Sequence, residues 1–276
     1  MVDRRHLAYL RVIDLHQGFR DPRSVPPADL EHFLEEANRL PGILEIQRAM
    51  RSAIDPRPGM SVLDAGCGIG IETTRLAVEN PETVVTGLDR NAELLRIARR
   101  RADPAPANLR WLEADLTALP FTEASFDAVR TERVLMYLPD GAFERVISDL
   151  VCLLCPGGRL ALFELDYGAT MLVPGAAGAS VLRQVDEALL GLLPQALAGR
   201  RIPGLLTARG LCDVVATPFS FAVSEPVWRR IVAEPLVAAS ARDSAISVWV
   251  REQASAAARG EFVGAFTGVL TTASRP

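Results

Sequence analysis

Apolar side chains recur at helical spacing along residues 28–53, where Leu, Ile, Phe and Ala lie three or four positions apart. A break is expected at Pro41-Gly42, because proline lacks a backbone N–H and its ring clashes with the preceding turn. Pro56, Pro58 and Gly59 then end the helical pattern. Residues 1–55 are therefore predicted to form an N-terminal helical lid.

Short apolar runs alternate with helical patterns from residue 61 onward, at lengths typical of α/β proteins. The runs are almost continuously apolar, as expected when helices cover both faces of a parallel sheet. The pattern predicts a doubly wound α/β fold. Strands are predicted at 61–65, 83–88, 109–113, 126–130 and 159–165, and helices at 71–79, 91–102 and from about 142 to 154.

The last third of the chain continues with helical patterns at 170–210 and 226–258 and with apolar runs at 214–223 and 262–272. No Gly/Ser-rich or Pro-rich linker divides the chain into two halves. We therefore expect one main domain over residues 56–276, with helical cap insertions around 170–205 and 225–258.

The composition narrows the classes of partner. The chain has 276 residues, a formal net charge of −4 and no run of five basic residues, which argues against nucleic acid as a partner. None of its 30 Lys and Arg residues is a lysine, which excludes Schiff-base chemistry and a P-loop lysine. No stretch of 18 apolar residues occurs, so we expect no membrane segment and a cytoplasmic protein.

The cysteines predict neither a disulfide framework nor a metal centre. There are four of them, too few and too scattered for a disulfide-rich scaffold. Cys152 and Cys155 form a C-x-x-C pair, but no second pair and no later histidine accompanies it. We expect no metal site.

A glycine-rich loop follows the first strand, in the run from Asp64 through Gly66, Gly68 and Gly70. Glycines at the end of a strand and the start of a helix let backbone N–H groups approach a ligand. The spacing is G-x-G-x-G, which departs from the G-x-G-x-x-G pattern of nicotinamide cofactors. Asp64 precedes the loop, where a carboxylate can reach a ligand's ammonium group.

Two further acids follow the next two strands. Asp89 ends the second strand, at the distance from the loop expected for an acid that binds ribose hydroxyls. Asp115 follows the third strand, and the carboxyl ends of parallel strands form the ligand-binding edge of such sheets. Each acid could instead cap a helix, but all three doing so by accident is a weaker explanation.

These motifs together resemble the class I S-adenosylmethionine-dependent methyltransferases, in particular the branch typified by ubiquinone and menaquinone biosynthesis. The resemblance spans residues 45–166. It implies a Rossmann-like, seven-stranded sheet whose last strand is antiparallel, so that the runs at 214 and 262 become strands six and seven. The motifs that carry it, besides the glycine loop, are 115–121 (DLTALPF), 126–130 (FDAVR), 134–140 (VLMYLPD) and 154–158 (LCPGG).

The resemblance also assigns roles in binding S-adenosylmethionine. It implies that Asp64, Gly66 and Gly68 hold the methionine portion, and that the carbonyl of Arg130 meets the ammonium group. It implies that Asp89 accepts from the ribose hydroxyls. It implies that Arg90, Asp115 and the backbone of Leu116 contact the adenine.

A departure from the family concerns catalysis. Many relatives have His-His where this chain has Met136-Tyr137, so a mechanism relying on a histidine there does not transfer. A weakly acidic acceptor needs a base near its proton, and we favour His16, on the lid, and Asp166, after the fifth strand. The other candidates are Glu132, Tyr137 and Glu164.

The expected function is methyl transfer to an oxygen, nitrogen or carbon of a small molecule, in secondary metabolism. One alternative is an enzyme that retains S-adenosylmethionine but catalyses another reaction, such as a cyclisation. Another is a non-catalytic partner protein that binds S-adenosylmethionine. A macromolecular acceptor is less favoured because no basic surface or appended domain is visible. The sequence leaves open whether the chain forms a homodimer.

Overall fold

A mixed β-sheet forms the centre of the molecule, in a computed structural model that describes residues 14–172, 179–240 and 244–276. Its strand order is β3-β2-β1-β4-β5-β8, and β8 pairs along most of its length with β7. The strands are β1 Ser61–Ala65, β2 Val84–Asp89, β3 Leu109–Glu113, β4 Phe126–Glu132, β5 Leu154–Leu165, β6 Met171–Leu172, β7 Cys212–Val223 and β8 Gly264–Ser274.

The direction of the strands agrees with the prediction. The strands β1 to β5 pair in parallel, whereas β8 runs antiparallel to β5. The seven-stranded, doubly wound sheet with an antiparallel last strand is thus confirmed. The two-residue strand β6 is an addition, and it pairs with the start of β8.

Helices cover both faces of the sheet and extend beyond its carboxyl edge. Three short 3₁₀ turns, at Leu116–Ala118, Leu135–Tyr137 and Tyr167–Ala169, follow β3, β4 and β5. The helices are α1 Leu15–Arg20, α2 Pro27–Asn38, α3 Pro41–Ile54, α4 Ile71–Glu79, α5 Ala92–Arg101, α6 Phe143–Leu153, α7 Ala179–Leu190, α8 Ala198–Ala208, α9 Glu225–Trp228, α10 Glu234–Ala239 and α11 Ala245–Ala258.

The predicted lid comprises α1, α2 and α3, and its residues 1–13 lie outside the described part of the chain. Proline begins both α2 and α3, where the missing N–H costs nothing because the first helical turn has no acceptor for it. Ion pairs from Arg100 to Glu31 (2.7 Å) and from Arg101 to Glu35 attach α2 to α5. The lid therefore packs against the sheet domain.

The predicted caps correspond to α7 and α8 and to the helices from α9 to α11, with residues 173–178 and 241–243 outside the description. A π-helical turn at Arg229–Ala233 joins α9 to α10. The indole rings of Trp228 and Trp249 pack edge to face at 6.3 Å, and both are buried. In the described ranges, no helix is both long and apolar enough to cross a membrane.

Candidate active site

The glycine loop brings backbone to the carboxyl edge of the sheet. Gly66 has φ +83° and Gly68 has φ +56°, in the left-handed region that favours glycine. A Cβ on Gly66 would lie 2.4 Å from Cγ2 of Val134, so a side chain there would clash. A Cβ on Gly68 would meet nothing closer than Leu34, at 3.5 Å, and Gly68 lines the main cavity. The loop is thus a cradle whose open side faces the space a ligand could fill.

Asp89 lies beside this loop at the end of β2. Its Oδ2 accepts the N–H of Gly68 at 2.8 Å, and its Oδ1 accepts the N–H of Asn91 at 2.8 Å. Burial raises the pKa of the carboxyl, against the lowering effect of these two hydrogen bonds. Each carboxylate oxygen keeps a free lone pair, and the residue lines the main cavity. Asp89 can therefore accept hydroxyl donors.

Asp115, Arg90 and Leu116 line the cavity beyond Asp89. Oδ1 of Asp115 accepts the N–H of Thr117 at 2.8 Å, so this acid does cap the 3₁₀ turn, as the alternative reading allowed. Partial burial works against ionisation of Asp115, but the bonds from Thr117 and the charge of Arg90 outweigh it and lower the pKa. Arg90 also donates to the carbonyls of Phe19, at 3.2 Å, and Arg20, at the end of α1. One arginine thus joins the lid to the adenine end expected from sequence.

Asp64 is more constrained than the sequence suggests. The register of β1 and β4 places Asp64 level with Arg130, and Nη1 of Arg130 lies 3.2 Å from Oδ1 of Asp64. Oδ2 accepts the hydroxyl of Thr73 at 2.6 Å. Burial raises the pKa of Asp64 against the lowering effect of Arg130. The carboxylate is therefore already partnered by a cation, and any ligand ammonium would share it with that cation.

Glu132 and Arg133 lie between two cavities. A smaller cavity of about 60 Å³ borders Asp64 and the glycine loop, and Glu132 and Arg133 line both it and the main cavity. Glu132 accepts from Arg130 at 2.7 Å and from Arg133 at 2.8 Å, and the two charges keep its pKa low despite burial. The smaller cavity thus carries both signs of charge, as a zwitterionic ligand would need.

The main cavity, of about 240 Å³, continues from Asp89 and Asp115 to an apolar end beneath α1 and the π-helical turn. Ring contacts connect its walls, with centroids 5.2 to 6.5 Å apart. We call this end the aromatic chamber, and its ring-bearing residues are His16, Phe19, Tyr137, Tyr167, Phe221 and Phe266.

His16 is held inside the chamber by two hydrogen-bond partners. Its Nε2 lies 2.8 Å from the carbonyl oxygen of Ile231, and its Nδ1 lies 3.2 Å from the hydroxyl of Tyr137. The side chain is 1% exposed, and burial lowers its pKa from 6.5 to about 4. The structure therefore places this candidate base in the interior rather than on the surface of the lid. His16 is neutral near pH 7, as a base must be.

Asp166 and Glu164 are engaged elsewhere. Arg200 donates two hydrogen bonds to the carboxylate of Asp166, from Nε to Oδ2 at 2.6 Å and from Nη2 to Oδ1 at 2.8 Å. This interaction holds the carboxylate outside the lining of the main cavity. Glu164 accepts the N–H groups of Val134 and Leu135, at 2.9 and 2.7 Å, and so orients the 3₁₀ turn that carries Tyr137. The geometry of the chamber thus favours His16 over Asp166 as a base.

Tyr167 is a polar residue of the chamber that the sequence analysis did not single out. It is 2% exposed, and its hydroxyl has no hydrogen-bond partner in the described part of the chain. A polar group one position beyond Asp166, at the edge where ligands bind, is the only signal the sequence offered. The described residues contain no group of three His, Cys, Asp or Glu side chains that could hold a metal ion.

A comparison with protein families matches residues 62–158 to a family described as a methyltransferase domain. The chain is 36% identical over 118 residues to the demethylmenaquinone methyltransferase of Thermus thermophilus, covering 43% of this chain and 52% of the relative. It is 33% identical over 191 residues to the 27-O-demethylrifamycin SV methyltransferase of Amycolatopsis mediterranei, covering 65% and 61%. The chain thus spans little more than half the length of these relatives.

Solved structures share the fold at lower identity. The YcgJ protein of Bacillus subtilis has a TM-score of 0.62 at 14% identity, covering 84% of this chain and 98% of that one. A phosphoethanolamine N-methyltransferase of Haemonchus contortus, in complex with S-adenosyl-L-methionine, has a TM-score of 0.60 at 17% identity, covering 95% and 60%. The [4+2]-cyclase SpnF has a TM-score of 0.55 at 20% identity, covering 84% and 81%.

Proposed function

We propose that this chain is a class I S-adenosylmethionine-dependent methyltransferase and transfers the methyl group of S-adenosylmethionine to a small molecule. The match of residues 62–158 to a methyltransferase domain and the similarity to two methyltransferases support this proposal. One observation carries the proposal. The glycine loop, Asp89 and Asp115 line the same cavity as the aromatic chamber, so a cofactor site and an acceptor site adjoin without an intervening wall.

The residues present fit S-adenosylmethionine. Gly68 leaves its Cβ side open, and Asp89 forms no ion pair within 4 Å among the described residues, so its free lone pairs suit ribose hydroxyls. Asp115 and Leu116 would hold the adenine, and the mixed charges around Glu132 suit the zwitterionic methionine end. When bound, S-adenosylmethionine supplies a methyl group that is already activated by its sulfonium.

The side chains are therefore needed mainly to bind the two substrates, to orient them for transfer and to exclude water. The lid covers the chamber through α1, and Arg90 fastens the end of α1 beside Asp115. His16, neutral and buried, offers a lone pair on Nδ1 toward the chamber side of the site and is the base we assign. The rifamycin methyltransferase among the relatives supports an acceptor from secondary metabolism.

The proposal is tested by incubating the purified chain with S-adenosylmethionine labelled in its methyl group and an extract of the producing cells. We expect the label to move to a small, extractable product. If a compound of the extract is converted while S-adenosylmethionine remains unchanged, the result would instead indicate an enzyme that binds S-adenosylmethionine but catalyses another reaction, such as a cyclisation. Neither change, with binding of S-adenosylhomocysteine retained, would indicate a non-catalytic partner protein. Label in protein or nucleic acid would contradict a small acceptor.

A further inference from the structure

Tyr167 presents a buried polar group for which the described protein supplies no partner. The ring packs against Phe266 at 5.9 Å and against His16 at 6.1 Å, which fixes its orientation within the chamber wall. Burial raises the pKa of the hydroxyl, so it remains an O–H donor. A buried hydroxyl left without a partner is unfavourable, and a ligand oxygen in the chamber is the partner that would satisfy it.

The hydrogen bonds of His16 define which nitrogen carries its proton. A carbonyl oxygen only accepts, so Nε2 must donate its N–H to the carbonyl of Ile231. In neutral His16, Nδ1 then carries the lone pair, and the hydroxyl of Tyr137 donates to it at 3.2 Å. The oxygen of Tyr137 is left free to accept a proton from a third group. Tyr137 thus connects the chamber to the base.

The charged residues of the cavity restrict the charge that an acceptor can carry. Among the described residues that line it, the two arginines are already partnered. Arg133 pairs with Glu132, and Arg90 pairs with Asp115 and with the carbonyls of α1. A carboxylate or phosphate on the acceptor would enter an apolar chamber without a free cation, and burying such a charge unpaired is strongly unfavourable.

We propose that the acceptor is an uncharged, largely apolar molecule with a hydroxyl group, held between Tyr137 and Tyr167 and deprotonated through Tyr137 by His16. This inference rests on the proposed function. The acceptor oxygen forms a bond to the methyl carbon as the carbon–sulfur bond breaks and its electron pair moves to sulfur. The acceptor proton passes to the oxygen of Tyr137, whose own proton passes to Nδ1 of His16. The positive charge of the sulfonium thereby ends on the imidazolium.

The class of acceptor is tested with three probes and calorimetry on the chain saturated with S-adenosylhomocysteine. We expect 2-naphthol to bind saturably, and 2-naphthoate, of similar shape but anionic, to bind at least about tenfold more weakly. Replacing Tyr167 by Phe should weaken 2-naphthol binding between about twofold and tenfold, the worth of one neutral hydrogen bond. The third probe, 2-methoxynaphthalene, which has no O–H to give to Tyr137, should bind more weakly than 2-naphthol.

The matched control is Thr271→Val, because Thr271 carries another buried hydroxyl without a hydrogen-bond partner in the described ranges, and it does not line the cavity. This variant should leave 2-naphthol affinity unchanged. Equal binding of 2-naphthoate, absence of saturable 2-naphthol binding, or an unchanged affinity in Tyr167→Phe would each overturn the inference. Failure of the chain to bind S-adenosylhomocysteine would instead contradict the proposed function.

The proton path is tested by turnover. With saturating 2-naphthol and labelled S-adenosylmethionine, the wild type should form labelled 2-methoxynaphthalene. Tyr137→Phe should lower kcat at least about tenfold, because proton transfer by a positioned group contributes about that much or more. Its affinity for S-adenosylhomocysteine should stay at the wild-type value. A kcat equal to that of wild type, or no labelled ether from the wild type, would overturn the path.

Discussion

Asp89 combines two tasks in one side chain. Its carboxylate faces the cavity, and the same two oxygens hold the backbone of the glycine loop and the start of α5. The sequence predicts the first task alone. Because the loop depends on this carboxylate for its shape, ligand affinity and local stability are coupled at this residue.

Replacing Asp89 by Ala should lower the affinity for S-adenosylhomocysteine at least about tenfold, since two hydrogen bonds to a charged acceptor are each worth roughly 1.5 to 3 kcal/mol. It should also lower the free energy of unfolding, because the N–H of Gly68 loses its acceptor. Calorimetry measures the first effect and denaturant unfolding the second. Glu113→Gln is the control, since Glu113 is an exposed acid at the end of β3 and does not line the cavity. An affinity within twofold of wild type would contradict the ribose assignment.

His16 makes stability depend on pH. Its pKa of about 4 in the folded chain lies below the unfolded value of 6.5 because of burial; the hydrogen bond to the carbonyl of Ile231 and the charge of Asp14 partly offset this lowering, and the charge of Arg20 adds to it. Tyr137 and Tyr167, which face it, stay neutral because burial raises their pKa. The unfolded chain therefore binds more protons between pH 6.5 and 4. The stability that His16 contributes is present above pH 6.5 and is lost as the pH falls toward 4.

Glu164 acts in the opposite direction over nearly the same range. Burial raises its pKa from 4.5 to about 7, so the folded chain binds more protons and its contribution grows as the pH falls. The two effects offset each other in the wild type. A variant that removes one of them is needed to reveal the other.

Comparison of wild type with His16→Gln isolates the histidine. The difference in unfolding free energy between them should change by roughly 3 kcal/mol between pH 7 and pH 4, to the disadvantage of the wild type at low pH. Denaturant unfolding at several pH values measures it. The control is His32→Gln, because His32 is exposed on α2. A difference that stays constant with pH would contradict a buried, neutral His16. By the same reasoning, any acid limb of activity due to His16 should lie near pH 4 rather than near 6.5.

Among the elements, the short helix α1 depends on contacts with other parts of the chain. It has six residues, too few to be stable alone, and the N–H of Gln17 bonds to the side chain of Asp14 at its start. At its end, Arg90 donates to the carbonyls of Phe19 and Arg20. This attachment holds His16 over the chamber, so the position of the proposed base depends on an arginine at the edge of the candidate cofactor site.

Replacing Arg90 by Ala should loosen α1, because its last carbonyls lose a charged donor. Hydrogen exchange of residues 14–20 should become faster, and affinity for S-adenosylhomocysteine should fall a few-fold. Arg96→Ala provides the control, since Arg96 is exposed on α5 and pairs with Glu93 on the same helix. Exchange in residues 14–20 that is identical in Arg90→Ala and wild type would contradict the role of Arg90 in the lid.

For the whole molecule, residues of both the lid and the sheet domain line the candidate cofactor site, so ligand binding should stabilise both. S-adenosylhomocysteine should raise Tm in proportion to the logarithm of its concentration, corresponding to about 2.7 kcal/mol at one hundred times Kd. NAD should leave Tm unchanged, because the loop lacks the third glycine of the nicotinamide pattern. Differential scanning fluorimetry measures both. A shift with NAD and none with S-adenosylhomocysteine would contradict the proposed methyltransferase function and favour an oxidoreductase.

The sequence alone determined the order of the strands along the chain, the glycine loop and the acids after β2 and β3. These features are local, because a few consecutive residues determine each of them: the apolar run of a strand, a glycine that can adopt φ +83°, and an acid at the end of a strand. The antiparallel last strand was also predicted, by resemblance to a family. Asp89 and Asp115 accordingly line the cavity where they were expected.

Only the tertiary structure decided which side chains share the chamber. His16, Tyr137, Tyr167 and the carbonyl of Ile231 come from four segments, and the bonds of His16 span 121 and 215 residues. Likewise, the register of β1 against β4 pairs Asp64 with Arg130, and α8 brings Arg200 to Asp166. The hydrophobic periodicity of a sequence indicates whether a residue is buried, but it does not indicate which residues surround it. The residues in contact with a polar group determine its pKa and its hydrogen bonds, and therefore its chemistry. This is why His16 and Asp166 looked alike as bases in the sequence and differ in the fold.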